Sequence, residues 1–173
     1  MTPSSADWVC GTCGSAHSGL AFGFGFDAPV WWSAASEDDR AKGSLNADTC
    51  VLPVGEELHY FVRGALELPL RDLPGEVFSW NVWASLSPAS WELTTAHWDD
   101  PARVELEPMF GWLSNSLPYG IETTNLAVRV HTRAPGTIPA IEVDPSSEHP
   151  LAKEQLNGIT LHRVDRYNKI AGA

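Results

Sequence analysis

Positive charge is scarce in this chain. There are 11 Lys plus Arg against 22 Asp plus Glu in 173 residues, a formal net charge of −11. Nucleic-acid binding needs clustered cations to neutralise phosphates, so basic residues this few and this scattered exclude that partner class. Cysteine is scarce too. Three thiols are an odd number, which argues against a closed disulfide framework. No apolar run approaches the ~20 residues of a membrane-spanning helix, so no membrane association is expected. The opening MTPSSADWVCGTCG lacks the basic and apolar regions of a secretory signal, which makes the cytoplasm the expected location. A phosphate-binding loop, a nucleophile elbow and an HExxH helix are all missing. The alternating glycines of FGFGF (22–26) have no flanking strand and helix, so they are not a dinucleotide fingerprint.

The chain is 43% hydrophobic and 10% aromatic, with eight tryptophans, enough to fill a sizeable core without staples. Its length fits a single domain over 1–173. Residues 19–29, GLAFGFGFDAP, read as an aromatic-anchored loop. SAASEDDRAKG (33–43) reads as a short helix with Ser36 as an alternative N-cap and Gly43 as its stop. Residues 59–70 and 77–87 read as strands, Gly64 marking a bulge or a close backbone approach. In the second strand Phe78, Trp80, Val82, Ala84 and Leu86 share one face, and Ser79, Asn81, Trp83, Ser85 and Ser87 the other.

Ser87 and Pro88 open a helix over 87–98, and residues 126–131 and 138–143 read as further strands. A helix over 149–158 starts at Pro150 and is capped by Asn157-Gly158. The last stretch, 159–170, places Ile159, Val164, Tyr167 and Ile170 at helical spacing. This order implies an α+β fold: a mostly antiparallel sheet of about five strands with helices on one side.

The chemistry-bearing motif is WVCGTCGSAHSG (8–19). A redox dithiol needs its first cysteine at a helix N-terminus after a strand, and the glycines that follow Cys13 oppose a helix. A Cys-x-x-Cys-Gly turn is instead the shape of a zinc knuckle, because glycine lets both thiolates face one point. Zinc takes four ligands. His17 lies in the same loop, and Cys50 is the remaining thiol, so Cys10, Cys13, His17 and Cys50 form the expected site. That site would make 1–50 a zinc-knuckle-like N-terminal part packed on the α+β body. The bland alternative is three unligated thiols, with Cys50 a small core residue.

Weaker candidates lie elsewhere. Trp83 and Ser85 would present an indole and a hydroxyl on the polar face of their strand, a binding mix unless helix 87–98 covers them. Arg63 reads as one partner of a strand ion pair with Glu67, or as part of a ligand contact. His149 reads as a helix cap, or as a catalytic base.

Taken together, CGTCGSAH, FGFDAP, DTC, FVRGALELP, WNVWASLS, FGWL, LPY and HPLAKEQLNGIT resemble, in order and spacing, the domain-of-unknown-function family numbered 2199, a family of small bacterial proteins. The resemblance implies a shared fold and a shared use of Cys10, Cys13 and Cys50, and it brings no activity. Two functions are expected on these grounds. One is a cytosolic module with structural zinc that binds a protein or a small molecule. The other is a zinc-dependent enzyme, a hydrolase or a biosynthetic enzyme, with water in an open metal position and an acidic residue or His149 as base.

Overall fold

The computed structural model describes residues 8–172. In chain order the strands are β1 (Trp8–Val9), β2 (Ala16–His17), β3 (Gly23–Gly25), β4 (Ser44–Leu45), β5 (Thr49–Val54), β6 (Glu57–Pro69), β7 (Val77–Leu86), β8 (Met109–Trp112), β9 (Ala127–His131) and β10 (Ala140–Val143). The helices are α1 (Val30–Ala34), α2 (Glu37–Lys42), α3 (Pro88–Ala96), α4 (Pro150–Asn157) and α5 (Leu161–Ala171).

The fold is α+β, but its main sheet has eight strands and is mixed rather than mostly antiparallel. The path runs β3-β7-β6-β10-β9-β8, with β5 on β6 and β4 on β5. β3 pairs with β7 in parallel, Gly23 opposite Ser79, and β10 pairs with β6 in parallel, Ala140 opposite Ala65. The sheet also curls back on itself. Leu113, just past β8, bridges Ala84 of β7, and the Ser114 amide donates to the Trp83 carbonyl at 2.8 Å. β3 and β8 are short and glycine-bearing, so neither carries the alternation from which a strand is read.

Strand β7 divides the molecule. Phe78, Trp80, Val82, Ala84 and Leu86 face a large core shared with Leu151, Val164 and Tyr167. Trp83 is buried on the opposite face, as period-2 alternation requires. Its cover is not helix α3. Phe26, Trp32 and Ala35 pack over it instead, and its indole N–H donates to the Phe26 carbonyl at 2.9 Å. Asn115 fastens the same layer, accepting from the Trp83 amide at 2.7 Å and donating to the Ala28 carbonyl at 3.0 Å.

The helix expected over 33–43 is two pieces. The chain is extended at Ala35 and Ser36, and the Ser36 hydroxyl then caps α2 by accepting from the Asp39 amide. The remaining helix starts are as the sequence implies: Ser87 caps α3 ahead of Pro88, and Pro150 opens α4. Gly158 ends α4 at φ 76, where a β carbon would press on the Pro69 carbonyl.

Gly111 marks the place where β8 crosses β7, and a β carbon there would overlap the Ser85 carbonyl oxygen. Backbone cannot yield as a flexible side chain can. Gly111→Ala is therefore expected to destabilise the fold by about 2–3 kcal/mol in urea denaturation, with the transition still cooperative.

Candidate metal centre

Strands β1 and β2 form a hairpin with Trp8 opposite His17 and Val9 opposite Ala16. Its turn is closed by the Cys10 amide donating to the Ser15 carbonyl at 2.9 Å and the Gly14 amide donating to the Cys10 carbonyl at 2.8 Å. Gly14 stands at φ 70, a conformation that only glycine adopts freely, and this swings Cys13 back towards Cys10. The hairpin thus brings two thiols and the His17 ring together from eight consecutive positions, as the motif implies.

The fourth group comes from the other end of the chain. Thr160 caps α5, its hydroxyl accepting from the Arg163 amide, and the Leu161 amide donates to Asp72 Oδ2 at 2.6 Å. This fixed first turn places His162 Nδ1 3.3 Å from Cys10 Sγ, while His17 Nε2 lies 3.3 Å from Cys13 Sγ. Ligand atoms of Cys10, Cys13, His17 and His162 all lie within 4.8 Å of one another, close enough to hold one metal ion. A tetrahedral site with arms of about 2.0–2.3 Å has edges of about 3.3–3.8 Å, and the two Cys–His separations already match such an edge.

Helix α5 also supplies the support behind the ligands. His17 Nδ1 is 2.9 Å from Asp165 Oδ1, and Lys169 Nζ is 2.6 Å from Asp165 Oδ2. The carboxylate orients the ring and leaves Nε2 facing the thiols, the arrangement that raises the basicity of a metal-bound histidine. Residues 162, 165 and 169 share one helix face, so one stripe carries a ligand, a supporting carboxylate and its counter-charge.

The electrostatics favour ligand-ready thiols. The Ser15 backbone N–H, then the His17 ring, hold the Cys13 thiol down at about 6. Burial opposes ionisation of Cys10, but the Cys13 and Thr12 amides and His162 outweigh it, so its thiol is also lowered. His17 is raised, first by Cys13 and then by Asp165. Asp165 is lowered although burial resists this, because Lys169 and His17 stand beside it.

Cys50 is not part of the cluster; His162 is there in its place. Cys50 is fully buried with Leu52, Phe61 and Trp83, and burial pushes its thiol up to about 12. It is a small core residue in an apolar layer, where burial disfavours the thiolate. The other sequence candidates are dispersed. Trp83 is buried, and the Ser85 hydroxyl accepts from the Trp112 amide at 3.1 Å. His149 caps α4, accepting from the Leu151 amide at 3.0 Å, and its other nitrogen is 3.4 Å from the Ile121 carbonyl. Glu67 pairs with Arg133 at 2.9 Å, not with Arg63. The sequence signal for His162 was its i, i+3 spacing to Asp165 inside a stretch whose apolar residues alone were read.

A family model described as "Uncharacterized protein conserved in bacteria (DUF2199)" matches residues 9–159. The matched span takes in Cys10, Cys13 and His17 and ends just before His162. No curated protein and no solved structure matches the chain. Among the described residues, no helix is long and apolar enough to cross a membrane.

The three thiols are chemically distinct, and alkylation reads this directly. In metal-free protein the Cys13 reaction with iodoacetamide should climb as pH rises through about 6, since the thiolate is the nucleophile and its proton leaves there. Cys50 should stay unmodified until the protein is unfolded, as mass mapping of the alkylated peptides would show.

Proposed function

The chain belongs to that bacterial family, and on this premise we propose that it is a binding module held together by a structural zinc ion on Cys10, Cys13, His17 and His162. The observation that carries the reading is the meeting of four soft or borderline donor atoms within 4.8 Å. Two sulfurs and two imidazole nitrogens in a tetrahedral set suit zinc, which has no redox chemistry and no directional preference of its own.

Four protein ligands fill every position of a tetrahedral zinc, so no site is left for an activated water. Two thiolates also make the metal a weaker Lewis acid than it is in the histidine-rich centres of hydrolases. The role that remains is mechanical. The hairpin has two residues in each strand, too little pairing to be stable alone. Zinc would fasten it to α5, so that the two ends of the chain share one bond network. Ligand binding then belongs elsewhere on the molecule, and thiolate ligands of this kind persist in a reducing compartment.

Elemental analysis of protein prepared without chelator should find about one zinc per chain, as a closed four-ligand site requires. His162→Ala should lose the metal and lower the melting temperature, as should His17→Ala, whereas Cys50→Ala should keep the metal. Asp165→Asn should retain the fold and weaken zinc affinity by roughly 10–100-fold, the effect of losing a supporting carboxylate. Zinc lost with Cys50→Ala and kept with His162→Ala would overturn the assignment.

A further inference from the structure

Strand β6 is 13 residues long, and two different strands share one of its edges. β5 pairs antiparallel with its first half, ending at Thr49 opposite Val62, and β10 joins in parallel at Ala65. Both partners begin at this point and run away from it in opposite directions, which leaves a fork beside Arg63 and Gly64. The backbone there is satisfied: the Arg63 amide donates to the Asp48 carbonyl and the Ala65 amide to the Pro139 carbonyl, each at 2.8 Å. The Arg63 side chain is not. Among the described residues its buried Nε has no hydrogen-bond partner, and the side chain's one hydrogen bond runs from another nitrogen to the Ala47 carbonyl at 3.4 Å.

A cavity of about 90 Å³ opens at this fork, lined by Asp48, Arg63, Trp98, Arg103 and the segment 136–139. Arg103 is 3% exposed, lies over the Trp98 ring at 5.1 Å and donates to the Trp98 carbonyl at 2.5 Å. The Arg103 carbonyl accepts from Thr132 Oγ1 at 2.6 Å, which pins the backbone from which the guanidinium projects. Among the described residues, no carboxylate lies within ion-pair distance of either arginine. By contrast, Arg133 is held by Glu67 and Arg163 by Glu154. Other arginines also lack an ion pair, but these two line one cavity, with Arg103 buried and the Arg63 Nε enclosed. A buried cation with carbonyl acceptors but no counter-charge is costly, and a planar guanidinium is matched by a carboxylate or phosphoryl group.

We propose that this fork is a binding site for a small oxyanion, the phosphoryl or carboxylate head of a metabolite, held by Arg63 and Arg103 over the edge of Trp98. The cavity is large enough for the charged head and little more, so the remainder of the ligand projects outward. Asp48 stands in the same wall, fixed by its amide donating to Asn46 Oδ1 at 2.8 Å. Its carboxylate reduces the net charge of the site and favours ligands that carry a hydroxyl or amine donor next to the oxyanion. No residue of the metal cluster lines the cavity, so the two sites stand or fall separately.

The test uses the full chain with its metal, ¹⁵N-labelled, with the arginine Nε–H resonances followed by NMR. Inorganic phosphate and acetate are titrated separately at constant ionic strength. Saturable shifts of the Arg63 and Arg103 signals, with a Kd of roughly a millimolar or tighter for at least one anion, are expected. Response to phosphate alone assigns a phosphoryl head, and response to acetate alone a carboxylate. Arg63→Gln should weaken binding at least about tenfold while leaving metal content and circular dichroism unchanged. Asp48→Asn should tighten it by roughly three- to tenfold, because a nearby like charge is removed, and a gain cannot come from damage to the fold. No saturable shift with either anion, shifts that persist in Arg63→Gln, or an Asp48→Asn variant that binds no more tightly would overturn the proposal.

Discussion

The antiparallel pairing of β6 with β7 runs through ten residue pairs, from Tyr60–Leu86 to Pro69–Val77, and the other layers take their positions from it. Its two faces carry different cores. One holds Val62, Leu66 and Leu68 beside Phe78, Trp80 and Val82, and the other holds Phe61 and Trp83. Because side chains alternate along a strand, neither face can shift by one residue without exchanging its buried set for its polar one, so the register is firmly specified. The same pairing determines what hangs on the edges. β7 takes β3 in parallel, and β6 has enough length to accept two strands on one edge, which is how the fork at Arg63 arises.

Helix α5 is placed on this frame by a partly buried polar cluster. Glu154 Oε2 accepts from the hydroxyls of Tyr119 at 2.6 Å and Tyr167 at 2.7 Å, and Arg163 Nε donates to Glu154 Oε1 at 2.8 Å. Every member is satisfied, so the cluster locks α4 to α5 rather than weakening the core. Burial, with the neighbouring carboxylate, pushes both tyrosine hydroxyls well above their ordinary range, so they remain donors. On the same helix Asn168 clasps the N-terminal segment through the Ala21 amide and carbonyl, at 2.8 and 2.9 Å. The face carrying His162, Asp165 and Lys169 therefore arrives at the hairpin in a fixed orientation. The metal cluster is the second fastening between the same two segments, not an isolated loop feature.

What could be read from the sequence was what local rules encode. Ser36 and Ser87 cap helices because an exposed hydroxyl meets an orphan amide, whatever the tertiary context. The alternation of β7 separates Trp80 from Trp83 for an equally local reason. Cys10, Cys13 and His17 read as a group because one turn brings them together. His162 did not, since the 144 residues between it and His17 are brought back by a sheet whose parallel strands leave no mark in composition. Cys50 misled because a thiol is the same letter in a core and in a site. The alternation was there to be used, however: Cys50 and Leu52 share one buried face of β5, and a thiol on an apolar strand face packs as a small hydrophobe. The fork at Arg63 was out of reach, since it depends on two strands 90 residues apart in the chain beginning against the same edge.

Charge separates the two sites by role. Two thiolates would cancel the charge of a divalent zinc, both imidazoles are neutral when they ligate, and Asp165 is balanced by Lys169 at 2.6 Å. A centre assembled in this way has no unbalanced field with which to attract or polarise a substrate, which fits a fastening better than a catalyst. The fork is the reverse. Two guanidinium groups face one carboxylate across a small cavity, and a net positive charge is left in a strongly acidic protein. Such a point would draw an anion from solution while the rest of the surface repels it, so selection would come from contrast as well as from contact. On the proposed reading, the acidic composition becomes, at one place on β6, the background against which a small anion would be recognised.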